Sequence, residues 1–145
     1  MRCFIAIDID DDIRSRIGSV QQYLKLKTKD CKNTITWVSP ERIHLTLKFL
    51  GDVADDRIND VCEIVTGIAD EYSSFDLVSR GLGCFGHPGR VLWAGIEMSK
   101  QLGSLQKDIA DALEPFGFEQ EKKKYAGHLT LCRVKSAFAG RIIED

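Results

Sequence analysis

The tetrapeptide His44-Leu45-Thr46-Leu47 returns later in the chain as His128-Leu129-Thr130-Leu131. In both copies polar and apolar residues alternate, the pattern of a half-buried β-strand. Residues i and i+2 of a strand project from one face, so each histidine stands beside its threonine while the leucines enter a core. Two such strands supply two imidazoles and two hydroxyls, enough for one site with two proton-transfer groups.

The flanking sequence reads as a scaffold for these strands. Cys3 to Ile9 alternates and is rich in β-branched and aromatic residues, which predicts a strand. Asp8, Asp10, Asp11 and Asp12 offer N-caps and first-turn negative charge to a helix from about Asp11 to Lys27, with an apolar stripe of Ile13, Ile17, Val20 and Leu24. Lys25, Lys27 and Lys29 complement its C-terminal dipole. Thr28 to Thr34 is predicted as loop, Ile35 to Val38 as a short strand, Ser39-Pro40-Glu41 as a turn, and Arg42 to Gly51 as the first HLTL strand. A second helix, about Asp55 to Tyr72, aligns Ile58, Val61, Val65, Ile68 and Tyr72 on one face.

Phe75 to Phe85 is predicted as a strand in which Gly81 and Gly83 mark a bulge or a close backbone approach. A turn at Gly86-His87-Pro88-Gly89 leads to a strand over Arg90 to Glu97. Leu102, Leu105, Ile109, Leu113 and Phe116 define a third helix, ended by Pro115 and Gly117. Beyond the charged connection Glu119 to Lys124, the second HLTL strand spans about Tyr125 to Lys135, and Ser136 to Asp145 has the pattern of a helix's first turns. The order βα-ββα-ββα-β reads as a diverged duplication within a single α+β domain, residues 1–145, of two packed lobes.

Bulk composition narrows the class. A chain of 145 residues suits one domain with a real core, and 43% hydrophobic with 29% charged residues is ordinary for a soluble globular protein. A net charge of −2 gives no global pull toward nucleic acid, so any RNA contact comes from a local patch. Cys3, Cys31, Cys62, Cys84 and Cys132 are odd in number, widely spaced and without a C-x-x-C pair, which reads as reduced thiols in a cytoplasmic protein. No stretch approaches the ~18 apolar residues of a membrane span, and the N-terminus has no signal-peptide apolar core.

The paired motifs point to acid–base chemistry. Histidine titrates near neutrality, so one imidazole can be neutral while another is protonated, which is what metal-free cleavage of a phosphodiester needs. The neutral ring deprotonates an attacking water, the protonated ring gives its proton to the departing alkoxide, and each threonine hydroxyl donates to a phosphate oxygen. By strand parity Lys48 shares the face of His44 and Thr46. Arg133 falls on the opposite face from His128 and Thr130, so its participation requires a twist or a bulge.

Rival chemistries are weaker. A two-histidine metal site needs a third ligand, and the motif neighbours are Leu, Thr and Lys; Cys132, on the face of His128 by parity, keeps a metal or thiol role open, against the plainer reading of a small buried hydrophobe. No elbow-type motif supports a Ser or Cys nucleophile. His87, in its Gly/Pro turn, reads as a solvated loop residue.

The segments RCFIAIDI (2–9), WVSPERIHLTLKFLGDV (37–53), RVLWAGIE (90–97) and HLTLCRV (128–134) resemble the 2H phosphoesterase superfamily, in its RNA 2′,3′-cyclic phosphodiesterase branch, also called 2′-5′ RNA ligase. The resemblance spans Arg2 to about Lys135. It implies a bilobal fold with a pseudo-two-fold axis, antiparallel sheets with helices on their outer faces, and a central cleft carrying both H-x-T-x strands. It also implies metal- and cofactor-free hydrolysis of RNA 2′,3′-cyclic phosphate ends to 2′-phosphate, with weak reversible 2′-5′ joining of tRNA halves. His44 would be proton donor and His128 proton acceptor, with Thr46 and Thr130 holding phosphate. Arg133, five residues after the second histidine, would be a phosphate contact.

The sequence departs from relatives at Ala126-Gly127, where a proline usually precedes the histidine. Relatives also usually continue beyond this point with a helix and strands that close one lobe, so the domain is expected to lack that C-terminal segment. Arg42, Lys48, Arg90 and Arg133 are the candidate basic rim of a monomer acting on RNA ends. The alternative functions are a phosphodiesterase for small cyclic nucleotides and a non-catalytic module that binds RNA ends.

Overall fold

A computed structural model of the chain describes residues 1–136 and 139–140. Among them run strands β1 (Arg2–Asp8), β2 (Ile35–Trp37), β3 (His44–Asp52), β4 (Ser79–Phe85), β5 (Val91–Ile96) and β6 (His128–Val134). The helices are α1 (Asp11–Lys27), α2 (Ile58–Ala69) and α3 (Lys100–Leu113). The fold is α+β, with a two-stranded sheet β1-β3 and a four-stranded sheet ordered β2-β6-β5-β4. Within the described residues no helix is long and apolar enough to cross a membrane.

The chain divides into two compact units, one built from Met1–Ala6, Thr46–Val78 and Glu97–Gly127, the other from Ile7–Leu45, Ser79–Ile96 and the chain from His128 on. In the first, α2 and α3 bury Val61, Leu102, Leu105, Ile109 and Leu113 together with Leu47 and Val53 of the β3 region. Ser99 caps α3 by accepting from the Leu102 N–H at 3.1 Å, and Gly117 ends the following 3₁₀ turn at φ +96°, which a side chain would disfavour. Tyr72 lies beyond the end of α2, where the sequence had placed a last helical turn, and its hydroxyl bonds Asp108 of α3. Phe116, predicted on the α3 stripe, is exposed in that 3₁₀ turn.

In the second unit, antiparallel pairing of β2, β6, β5 and β4 buries Ile35, Leu92, Ala94, Ile96, Leu129, Leu131 and Val134 on one face. Asp10 caps α1 by accepting from the Ile13 N–H at 2.9 Å. The predicted stripe of α1 is corrected at one step: Val20 is exposed and Gln21 is buried at 2%. Spacing of four from Ile17 puts position 21 inside, and the amide is accommodated because it donates both its hydrogens. Thr28 to Thr34, expected as loop, tightens into a 3₁₀ helix over Lys29–Thr34, and Pro40–Arg42 forms another. Phe75 to Val78 is left out of β4, and register shifts between Ser79 and Leu82, at the predicted bulge. Ser136 Oγ accepts from the Ala139 N–H at 3.0 Å and residues 139–140 are helical; the rest of the predicted terminal helix lies outside the described residues.

Candidate active site

β6 carries the second motif, and its pairing with β5 settles which side chains share a face. Gly95 stands opposite His128, Ala94 opposite Leu129 and Trp93 opposite Thr130, but Leu92 then faces Cys132, so Leu131 has no partner on β5. That extra residue is a β-bulge, and it reverses the alternation beyond it. Strict parity had set Arg133 against His128 and Thr130. The bulge turns Arg133 to their side, beside its partners Val91 and Thr36, and sends Cys132 into the core. Three groups suited to a phosphodiester now occupy one sheet face: an imidazole, a hydroxyl and a guanidinium.

The same bulge withdraws Cys132 from any metal or thiol role. The side chain is fully buried, and desolvation pushes its thiol up to about 11, so it stays protonated at neutral pH.

His128 is held among aromatic rings. Phe85 of β4 meets it edge-to-face, with centroids 5.0 Å apart and planes at 89°, and Trp93 lies 6.3 Å away. Trp93 in turn lies across Gly83, the residue paired with it on β4, where a Cβ would come within 2.4 Å of the indole. Gly83 is therefore the close backbone approach that the sequence signalled. His87 is exposed in the turn between β4 and β5.

β3 carries the first motif, with His44 in the second unit and Thr46 onward in the first. His44 and Thr46 are half-exposed while Leu45 and Leu47 are buried, as alternation requires. His44 Nδ1 lies 2.7 Å from the carbonyl of Arg42. A carbonyl only accepts, so Nδ1 carries the hydrogen of this contact. The turn before His44 is anchored by Arg14, whose guanidinium donates to the carbonyls of Pro40 at 3.0 Å and Glu41 at 2.8 Å and also pairs with Asp8.

Lys48 is corrected. It is 3% exposed, and its ammonium donates to the Glu119 carbonyl at 2.7 Å within the first unit, so it is a structural cation rather than part of a basic rim. Parity failed here because the accessibility of β3 also loses its alternation after Leu47. Arg42, Arg90 and Arg133 remain exposed. The second motif strand begins at His128, not Tyr125; the Tyr125 hydroxyl donates instead to the Thr46 carbonyl at 2.8 Å, and burial raises it to about 12.

Sequence reading missed Arg14, Gln21 and Tyr125. Gln21 alone left a signal, a polar residue four positions from Ile17 on the α1 stripe.

Fold and side chains together define a class: an α+β protein equipped for acid–base chemistry on a phosphoester. A profile of the family described as LigT like Phosphoesterase matches residues 7–93, and the chain belongs to that family. A Methanothermobacter thermautotrophicus protein named RNA 2′,3′-cyclic phosphodiesterase is 34% identical over 137 residues, covering 93% of this chain and 72% of its own length. A Thermotoga maritima protein of the same name is 33% identical over 137 residues, covering 93% and 71%. Among solved structures, TT0787 of Thermus thermophilus superposes with a TM-score of 0.82 at 25% identity, over 94% of this chain and 75% of that one. E. coli LigT complexed with 3′-AMP shares the fold, with a TM-score of 0.70 at 24% identity over 94% and 75%.

Proposed function

We propose that this chain hydrolyses the 2′,3′-cyclic phosphate at RNA ends to a 2′-phosphate, by acid–base catalysis between two histidines and without a metal. The observation that carries the reading is the bulge at Leu131, which sets Arg133 on the face of His128 and Thr130. The relatives named RNA 2′,3′-cyclic phosphodiesterase support the substrate.

In this mechanism neutral His128 takes a proton from the attacking water, whose oxygen forms the new bond to phosphorus. The bond from phosphorus to the 3′ oxygen breaks, and His44 delivers its Nε2 proton to that oxygen. Thr46, Thr130 and Arg133 hold the non-bridging oxygens as charge develops on them. Attack by the 5′ hydroxyl of a second RNA end in place of water, with the same 3′ oxygen leaving, is the proposed route to weak 2′-5′ joining of RNA halves. Among the described residues no group of three His, Cys, Asp or Glu side chains is placed to hold a metal ion. The five cysteines are free thiols, which suits a reducing compartment; a cytoplasmic monomer is part of the proposal.

Incubating an oligonucleotide ending in a 2′,3′-cyclic phosphate with the protein in EDTA tests this directly. Turnover is expected to survive chelation and to fall by about 10²–10⁴ in His44→Ala and in His128→Ala. Activity that vanishes in EDTA and returns with a divalent ion overturns the mechanism. Faster turnover of a mononucleoside cyclic phosphate moves the substrate class to small nucleotides, and tight binding without hydrolysis reduces the chain to a binding module.

A further inference from the structure

The two motif strands share more than their sequence. From the histidine onward, β3 and β6 show one accessibility pattern: half-buried, buried, half-buried, buried, buried, exposed. In each strand alternation breaks after the fourth motif residue, Leu47 or Leu131. In each, the carbonyl at that residue accepts from a helical glutamine. Gln21 of α1 donates Nε2 to the Leu131 carbonyl at 3.1 Å, and also to the Val38 carbonyl at 2.7 Å. Gln106 of α3 donates Nε2 to the Leu47 carbonyl at 3.3 Å.

In β6 the reason for such a partner is visible. The bulge leaves Leu131 without a partner on β5, so its backbone is held from the other side. The Leu131 carbonyl receives the Val38 N–H at 3.0 Å on one side and Gln21 on the other. Gln21 thereby ties the end of β2 to the bulge, and its amide has both hydrogens engaged. The clasp fixes the backbone of the bulged residue against α1 and the end of β2, and with it the face on which Arg133 emerges.

We propose that Gln21 and Gln106 are positioning residues, each clasping the fourth residue of an HLTL copy, and that Gln21 acts on the reaction through Arg133 by holding the bulge that orients it. The catalytic part of this inference rests on the hydrolytic reading above; the structural part does not.

The test pairs kinetics with amide hydrogen exchange in Gln21→Met, Arg133→Ala and the double variant. Gln21→Met is expected to lower kcat/KM about tenfold, mostly through KM, for the cyclic-phosphate oligonucleotide. In the Arg133→Ala background the same change is expected to cost almost nothing further. Exchange should quicken at the amides of Leu131, Cys132 and Arg133 and hardly elsewhere. An equal loss in both backgrounds, no loss at all, or a uniform rise in exchange overturns the proposal. If the unaltered protein hydrolyses no phosphodiester, the functional reading falls, and exchange alone then decides the clasp. Should Gln21→Met not fold, the half-buried Gln106→Met decides the shared role: faster exchange confined to Leu47 through Phe49 supports it, and an unchanged or uniformly altered profile overturns it.

Discussion

Cys132 illustrates how one residue's environment sets its chemistry. Its thiol sits one position beyond the bulge, fully buried, and desolvation lifts it from the ordinary 9.0 to about 11. The folded chain therefore keeps a proton there that the unfolded chain releases. Stability contributed by the neutral thiol is complete below about pH 9 and is lost as pH rises toward 11. The Tyr125 hydroxyl, raised from 10.0 to about 12, adds a loss of the same sign at higher pH. Thermal melts are expected to show the melting temperature falling above pH 9, and Cys132→Ala should flatten the first part of that decline. A thiol reagent at pH 8 should label exposed Cys62 while sparing Cys132 until the chain unfolds. Labelling of Cys132 in the folded protein contradicts its burial.

At the scale of the element, the four-stranded sheet is organised by exceptions to alternation as much as by alternation. A shift in β4, a bulge in β6 and a glycine under an indole together decide which rings surround His128. Gly83→Ala tests that arrangement. Its Cβ would lie 2.4 Å from the Trp93 ring, so the indole has to tilt off β4. A loss of about 1–3 kcal/mol in stability is expected from the overpacking. Because Trp93 and Phe85 both approach His128, activity should fall with it, and a crystal structure should show the indole displaced. A variant as stable and active as its parent means the ring is not held against β4.

At the scale of the whole molecule, the net charge of −2 decides how RNA is met. A protein without a broad basic field engages few phosphates, and Arg133 is a cation placed on the face of His128. The affinity for a single-stranded end should therefore depend weakly on salt, with a log–log slope of magnitude about 0.7 for each phosphate neutralised and a total near one or two. Fluorescence anisotropy of a labelled end across a salt series measures it. A slope several times steeper points to an extended basic surface that this charge distribution does not predict.

Much of this molecule was legible in its sequence, for local reasons. The three helices follow from apolar spacing, and α1 also from Asp10 as its cap; Val91–Ile96 follows from its β-branched and aromatic run. The pairing of each histidine with a threonine needs only the two-residue period of a strand. What lay beyond the sequence was the side of the strand reached after the fourth motif residue. Parity gave Lys48 to the site and Arg133 to the other face, and the structure reverses both. That choice goes with the bulge at Leu131, whose carbonyl is held by the Val38 N–H and by a glutamine 110 residues away on α1. The sequence by itself determined the inventory of reactive groups and their grouping on strands; tertiary structure alone decided which cation joins them, because hydrogen-bond satisfaction across distant segments sets the register.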